Sequence, residues 1–340
     1  MNHRINGGRF AGLLCVFFLL FSAAGTDAAD GRELRIATVA PAGSAFHKRL
    51  QALGAEWSRG PGGVTINIYP GTQGGELQIV RRMRIGQIQG AMLSSVGLGQ
   101  LDRAVTALQF MPLMFRDWND VDRVRERLRP ELERRLRAAG FVVLFWGDAG
   151  WVHYFSKTPI RSVKDLKPMR VFATSGDPAS IEMMKAYYTP VLLEPDQILL
   201  GLRNGMIDAL PVPAFLANFN QVATYAPYML DLKWAPVTGA LVLTEKAWSQ
   251  LDRPTQQWLI ETSERAGHTM RAASRAEDEA TIRAMVDKQG LKVVTLSAAA
   301  EQEFREEVAR IYPRIRGTLV PAPIFDMTVE TLKSGDDSAK

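Results

Sequence analysis

The sequence predicts an α/β protein of two domains that contains one unusually long helix. Strand-like and helix-like segments alternate along the chain, beginning with the strand pattern of residues 33–39 and the apolar helical stripe of residues 45–59. Residues 141–146 (FVVLFW) are apolar at every position, which is typical of a strand in the buried centre of a mostly parallel sheet. Residues 254–289 keep helical spacing with Gly267 as the single interruption, which predicts a helix about 50 Å long.

Length and composition are those of an ordinary globular protein. The chain has 340 residues, of which 46% are hydrophobic and 23% are charged, enough for two domains of usual size. The net charge of +5 is modest and gives no indication of a nucleic-acid partner.

The N-terminal 29 residues have the pattern of a signal peptide. Arg4 and Arg9 precede the apolar run LLCVFFLLF at residues 13–21, and small residues follow it. That run is shorter than the roughly 20 residues that span a bilayer, although an uncleaved anchor is the alternative. We therefore predict cleavage near residues 25–29 and a periplasmic location. The single cysteine, Cys15, lies inside this run, so the mature chain would have no disulfide and no thiol ligand.

A run of charges at residues 120–137 predicts a helix with a solvated face, broken at Pro130. The alternative interpretation is a docking face for a membrane partner or for anionic lipid. At the other end of the chain, residues 326–340 read as a polar tail.

The most informative stretch is TPIRSVKDLKPMRV, residues 158–171. Asp165 can cap a turn with its carboxylate, and the apolar residues that follow indicate a strand. The two-residue period of a strand places Arg170 on the opposite face from Met169 and Val171. An arginine in that position is poor core material unless another group pairs with it.

This stretch resembles the segment "kPI-x-s-x-eDLKG-x-k-iRv" of the DctP-type solute-binding proteins of TRAP transporters, with Pro168 in place of the glycine. In that family the strand arginine grips the carboxylate of an organic acid. The resemblance therefore implies that Arg170 is the ligand anchor. The alternative is an internal ion pair of Arg170 with Asp208 or Asp177.

Other segments are similar to the same family. Residues 70–76 resemble its "yPggqLG-x-e" turn, which ends here on Glu76, and they lack the ending of a phosphate-binding loop. Residues 202–213 resemble "L-q-x-G-x-vDG-x-eN-p", where Asp208 matches and Val212 stands at the asparagine that helps to bind substrate in relatives.

Further candidate ligand contacts come from strand ends. Ser94 and Ser95 lie at the carboxyl end of a predicted strand, where α/β proteins place ligands. Many relatives carry a second arginine on the strand that follows residues 147–150, and here Trp151 or His153 occupies that neighbourhood. Together with Phe172, these aromatic residues would suit a ligand with an apolar body, and they would equally suit an ordinary core.

The resemblance also implies the architecture. We expect a periplasmic-binding-protein-like fold, with two α/β domains around a cleft and a long helix that spans both. The predicted first domain comprises residues 30–150 and about 237–265. The predicted second domain comprises residues 151–236 and about 266–325.

The function implied is that of an extracytoplasmic solute-binding protein, with an organic acid as the favoured solute and TRAP permease subunits as partners. We expect no cofactor, metal or nucleic acid, and a monomer in preference to a dimer. One alternative is an exported enzyme, but the sequence has no nucleophile elbow and no His-Glu-x-x-His motif. Another is a protein of the same fold that binds an apolar ligand for a different permease or sensor.

Overall fold

The computed structural model describes residues 32–71, 75–174 and 178–337. The predicted signal peptide and Asp177 lie outside these residues. Strands and helices alternate through most of the chain, which confirms the predicted α/β class.

The described residues form ten strands. They are β1 (Glu33–Thr38), β2 (Thr65–Pro70), β3 (Gly90–Ser94), β4 (Phe141–Ser156), β5 (Arg170–Ala173), β6 (Thr189–Leu192), β7 (Ala209–Pro213), β8 (Tyr228–Leu230), β9 (Ala235–Thr244) and β10 (Lys292–Val294).

The α-helices among the described residues surround these strands. They are α1 (Ala45–Trp57), α2 (Glu76–Arg84), α3 (Ser95–Gly99), α4 (Trp118–Ala138), α5 (Val163–Leu166), α6 (Pro178–Met184), α7 (Ile198–Arg203), α8 (Ala214–Phe219), α9 (Glu245–Trp248), α10 (Arg253–Gln289), α11 (Ala298–Ala309), α12 (Tyr312–Thr318) and α13 (Ala322–Asp337). A 3₁₀ segment, Arg103–Leu108, follows α3.

One sheet runs through both halves of the molecule in the order β2-β1-β3-β9-β4-β7-β5-β6, with β8 beside β4 and β10 beside β8. Strand β4 is the link, because it pairs with β9 over its first part and with β7 over its second. The sequence indicated two strands around a glycine-containing loop at residues 147–150. The structure has instead a single strand of 16 residues, in which a register shift between Asp148 and Trp151 absorbs the irregular segment.

The strands define two lobes, each with buried apolar residues of its own. The first lobe contains β1, β2 and β3, and the second contains β5, β6 and β7. Helix α10 has 37 residues and contributes Leu259 and Met270 to a core of the first lobe and Met285 to a core of the second. The predicted long helix that spans both lobes is therefore confirmed. It lies close against β4 at Gly267, where a Cβ would come within 2.7 Å of the Phe145 Cβ.

Helix α4 continues through Pro130 for 21 residues, so the predicted break is wrong. Pro130 itself is exposed, while Leu128 and Leu132 on either side of it are fully buried. Burial of this apolar stripe holds both parts of the helix on the core despite the missing backbone donor. Most arginines of α4 pair with nearby acids, as Arg129 does with Glu133, which is the behaviour of a solvated face.

The C-terminal segment differs from the predicted polar tail. Residues 326–337 belong to α13, and Thr328 and Leu332 are buried where this helix packs against α4. Ile315 and Ile324 enter the same core as α4, so residues before and within α13 pack with the first lobe. Apart from these C-terminal helices, the predicted domain boundaries stay a prediction.

Candidate functional site

A cavity of about 760 Å³ lies between the two lobes. The first lobe contributes Phe46, Glu76 and Ser94 to its wall, and the second contributes Phe172 and Val212. A volume of this size is within the usual range for sites that bind small organic molecules. The position between lobes is also the place where two-domain proteins can close on a ligand.

Phe172 and Val212 form part of the second-lobe wall. They lie on neighbouring strands, since β5 and β7 run parallel and pair at Val171 and Ala209. Phe172 is 6% exposed and Val212 is 4% exposed, so both side chains are almost entirely covered by protein. This part of the wall offers apolar surface to a ligand.

Arg170 lies outside the cavity and forms an ion pair with Asp208. Its Nε is 2.9 Å from Asp208 Oδ2 and its Nη2 is 2.8 Å from Oδ1, while its backbone N–H also donates to Oδ2 at 3.0 Å. The hydrogen bonds from Arg170 lower the pKa of the Asp208 carboxyl. The guanidinium therefore has the internal pairing named above as the alternative, and neither residue forms part of the cavity wall.

The position of Arg170 outside the cavity is explained when the family motif is aligned to this sequence without a gap. The motif arginine stands seven positions after the motif aspartate, and seven positions after Asp165 is Phe172. Arg170 then matches the lysine-like position two residues earlier. The assignment of the anchor to Arg170 thus depended on a two-residue displacement, and the residue at the matching place in the cavity is an aromatic one.

Glu76 and Ser94 meet in the first-lobe wall. Glu76 Oε1 accepts from the Ser94 backbone N–H at 2.6 Å, and Oε2 accepts from Ser94 Oγ at 2.6 Å and from the Gly97 N–H at 2.9 Å. These donors belong to the first turn of α3, so the carboxylate caps that helix. Burial raises the pKa of Glu76.

The neighbouring Ser95 does not line the cavity. Its hydroxyl is buried against Thr238, with the two side-chain oxygens 2.8 Å apart. This contact connects α3 to β9, so the hydroxyl of Ser95 has a structural role.

Trp151 and His153 are also turned away from the cavity. Trp151 is 2% exposed and packs on Trp118 with a ring-centroid distance of 4.8 Å. The Nδ1 of His153 lies 3.3 Å from the Leu230 carbonyl oxygen, and burial lowers the pKa of this histidine. Because side chains alternate along β4, it is Val152 and Tyr154 that reach the cavity instead.

Comparison with known families and structures identifies the class of protein. Residues 36–317 match the model of the DctP family, described as bacterial extracellular solute-binding protein, family 7. The chain belongs to this family. The match covers most of the chain and confirms the resemblance stated from the sequence motifs.

Solved structures of TRAP solute-binding proteins share the fold. The chain superposes with a TM-score of 0.82 on a TRAP periplasmic solute-binding protein of Ralstonia eutropha with bound acetolactate, at 18% identity, covering 89% of this chain and 99% of that one. It superposes with a TM-score of 0.80 on DctP7 of Bordetella pertussis, a receptor that binds pyroglutamic acid, at 16% identity, covering 88% and 99%.

A further relative is the uncharacterised protein YiiZ of Salmonella typhimurium, 23% identical over 276 residues, or 78% of this chain and 82% of that one.

An aromatic group on the second-lobe side of this family 7 protein was only partly indicated by its sequence. Tyr154, Tyr187, Tyr188 and Trp234 all line the cavity. The ring of Tyr154 lies edge-on to that of Trp234, with centroids 5.1 Å apart. The hydroxyls of Tyr154 and Tyr188 are 3.5 Å apart. No motif marked these four residues, which come from β4, from the turn before β6 and from the loop before β9.

A network of charged residues, with Asp148 and Arg125 buried at its centre, adjoins the cavity. Asp148 Oδ1 accepts from Arg125 at 2.7 Å, and its Oδ2 accepts from Arg275 Nε at 2.9 Å. Arg275 also pairs with Asp122. Asp148 and Arg125 are each 2% exposed, and Asp148 lies at the register shift before Trp151. The network ties α4 and α10 to β4 where that strand passes between the lobes.

Two further properties concern metals and membranes. Within the described ranges, no three or more His, Cys, Asp or Glu residues are grouped so that they could hold a metal ion. A search of the same ranges found no helix with the length and apolar character of a membrane span.

Proposed function

We propose that this protein is exported, binds one small organic solute in the cavity between its lobes and delivers it to the membrane subunits of a TRAP transporter. The observation that carries the proposal is the cavity, because both lobes of a solute-binding fold contribute facing walls to it. Binding and release would need only closure and opening of the lobes, with no bond made or broken. We accordingly propose that the protein is a receptor and has no catalytic activity.

Export is supported by the family and by the N-terminal pattern. Members of family 7 are described as extracellular solute-binding proteins, and residues 1–29 have the order of charges, apolar residues and small residues of a cleaved signal. We propose that the mature protein is periplasmic and that a monomer performs the binding.

An organic acid is the first candidate for the solute. Solved relatives bind pyroglutamic acid, succinate and galacturonate, all small carboxylic acids. Arg170 was the residue proposed to hold such a carboxylate, and its pairing with Asp208 removes that specific contact. Glu76, Ser94, Phe172 and Val212 stay proposed ligand contacts because all four line the cavity.

An apolar solute is the second candidate, and the walls of the cavity favour it. Phe172 and Val212 occupy places where the family motifs have an arginine and an asparagine. The fold and the role of receptor are the same for either solute.

Native mass spectrometry of the gently purified mature protein tests the proposal. We expect a complex with one small organic molecule, released and identified on denaturation. Delivery is tested with candidate TRAP membrane subunits reconstituted in liposomes, where uptake of that molecule should require this protein. Conversion of the bound molecule into a product, or uptake that does not depend on the protein, would contradict the proposed role.

A further inference from the structure

The charge of the cavity wall is the first observation that restricts the ligand. Among the described residues in that wall, Arg103 is the one basic side chain. Four acidic residues share the wall: Glu76, Asp102, Asp148 and Glu194. The Arg103 Nη1 donates to the Thr318 carbonyl at 2.7 Å, which ties α12 to the 3₁₀ segment. Asp148 pairs with Arg125 and Arg275, and Asp102 lies 3.7 Å from Arg135, so these two acids are compensated. In the described part of the wall, a ligand carboxylate would meet one basic side chain, Arg103, which already donates to a carbonyl.

Glu76 offers a ligand carboxylate no compensating charge. The three donors to its carboxylate are two backbone N–H groups and one hydroxyl, so no cation neutralises it through these contacts. Asp148 differs because Arg125 and Arg275 hold it. A ligand carboxylate near Glu76 would bring a second acid into a partly desolvated site without a counter-ion, which is unfavourable.

Phe172 supplies the opposite chemistry. Its ring lies in the wall, nearly covered by protein, and Val212 lies on the adjacent β7. Phe46, Phe145 and Phe215 line the same cavity from other elements. Covering the apolar body of a ligand with such side chains favours binding. The favourable free energy grows with the apolar area removed from water.

Polar contact is offered by the tyrosine hydroxyls. The Tyr154 hydroxyl donates to that of Tyr188 over 3.5 Å, a long separation for an O–H···O hydrogen bond, so a ligand oxygen lying beside the pair could be bound by both hydroxyls. Burial raises the pKa of Tyr154 well above its usual value, and the hydroxyl keeps its proton at neutral pH. Tyr187 differs because its hydroxyl already donates to the Glu307 carbonyl at 2.9 Å.

We infer that the cavity takes an uncharged organic ligand with a large apolar body and a hydroxyl or carbonyl oxygen bound by the hydroxyls of Tyr154 and Tyr188. The apolar body lies against Phe172 and Val212. This inference rests on the proposed function, because it names the class of solute for the same cavity.

The test uses three probes that share one apolar body: 4-phenylbutan-1-ol, 4-phenylbutylamine and 4-phenylbutanoate. Each competes with the neutral fluorophore N-phenyl-1-naphthylamine for the protein stripped of ligand, and isothermal titration calorimetry measures the dissociation constants. We expect the alcohol to bind at least about tenfold more tightly than the carboxylate, because the carboxylate lacks a counter-ion in the wall. Tightest binding of the carboxylate or the amine, or no binding of the alcohol, would overturn the inference.

Phe172→Arg is the variant that should change the order of affinity among the three probes. A guanidinium at this place supplies the missing counter-ion, and we expect carboxylate affinity to rise by about tenfold while alcohol affinity falls. Arg170→Ala is the matched control, two residues away on the same strand, and should keep the wild-type order. An unchanged order in a folded Phe172→Arg protein would remove Phe172 from the ligand contact.

Tyr188→Phe tests the polar contact. We expect the alcohol to bind about fivefold more weakly, as for the loss of one hydrogen bond, with binding of the fluorophore unchanged. Tyr312→Phe is the control, since Tyr312 lies outside the cavity wall and its hydroxyl donates to the Pro112 carbonyl at 2.8 Å. Equal losses in both variants would contradict the proposed contact. If the carboxylate proves to be the tight ligand throughout, the ligand class is wrong while the receptor function stands.

Discussion

Phe172 and Arg170 show how two residues on one strand can have opposite environments. Both belong to β5, but Phe172 lines the cavity and Arg170 pairs with Asp208 beyond it. The sequence correctly predicted a strand here, and it also named the Asp208 pairing as the alternative. It could not decide between them, because an arginine on a strand satisfies the same pattern whether its partner is a ligand or an internal acid.

Replacing Arg170 by Ala should therefore leave ligand affinity nearly unchanged. We expect the dissociation constant of the co-purified ligand to change by less than about threefold, since the side chain is outside the cavity. The melting temperature should fall, because Asp208 loses both side-chain hydrogen bonds from the guanidinium. Calorimetric titration and thermal unfolding measure the two effects. A loss of affinity of tenfold or more, on the order expected for a charged contact, would restore Arg170 as the anchor.

Asp278 is a second residue whose environment predicts a measurable effect. It lies on α10, where a carboxylate oxygen accepts from the Trp151 backbone N–H at 3.3 Å. Burial raises the pKa of Asp278 from 3.8 to about 6. The native state thus binds this proton more tightly than the unfolded state, and the associated stability is present below about pH 4 and is lost as the pH rises through about 6.

Asp278→Asn should remove the loss of stability that the wild type shows as the pH rises. At pH 7.5 we expect the variant to be more stable than the wild type by about 1–2 kcal/mol, because the amide keeps an acceptor for Trp151 and carries no charge. Urea unfolding between pH 4 and pH 8 measures the difference, which should shrink towards the acid end. Asp287→Asn, an exposed aspartate of the same helix, is the control. A variant that is less stable at pH 7.5 would show that the charge is stabilising.

At the scale of elements, helices with a continuous apolar stripe were predicted best. Helix α10 was anticipated over nearly its whole length, since its sequence has helical spacing and no proline after the first turn. The break expected at Pro130 and the tail expected after residue 325 were wrong for one physical reason. Contacts with the core hold α4 together through its proline and give α13 a buried face against α4, and such tertiary contacts are not visible in local sequence.

Pro130→Ala tests how much α4 depends on those contacts. Proline in a helix interior lacks a backbone donor and is unfavourable, so we expect the alanine variant to raise the free energy of unfolding by about 1–3 kcal/mol. Urea unfolding measures the change. Arg127→Ala, an exposed position in the same helix, is the control and should have a much smaller effect. A destabilised Pro130→Ala protein would mean that the helix requires the proline geometry.

At the scale of the whole molecule, the family motifs predicted the two-lobed architecture, but they did not predict which residues line the cavity. The aromatic wall gathers Phe172, Tyr154, Tyr188 and Trp234 from segments spread over 80 residues of sequence, and strand alternation alone decides that Tyr154 faces inward while His153 does not. A motif reports which residues relatives share at a site. It has no information about what surrounds the positions where this chain departs from them.

The lobes should unfold together, because β4 and β9 continue one sheet between them and α10 enters a core of each. We expect differential scanning calorimetry of the ligand-free protein to show one transition, with equal calorimetric and van't Hoff enthalpies. Two resolved transitions would contradict this shared architecture.

The pairing of β3 with β9 also fixes the order in which an exported chain can become folded. Residues 90–94 must wait for residues 239–243, their antiparallel partners, before the first sheet is complete. Contacts between residues so distant in sequence form slowly because a long loop has to close first. The N-terminal lobe of a chain that crosses the membrane from its N-terminus would therefore stay incomplete until more than two thirds of the chain had arrived.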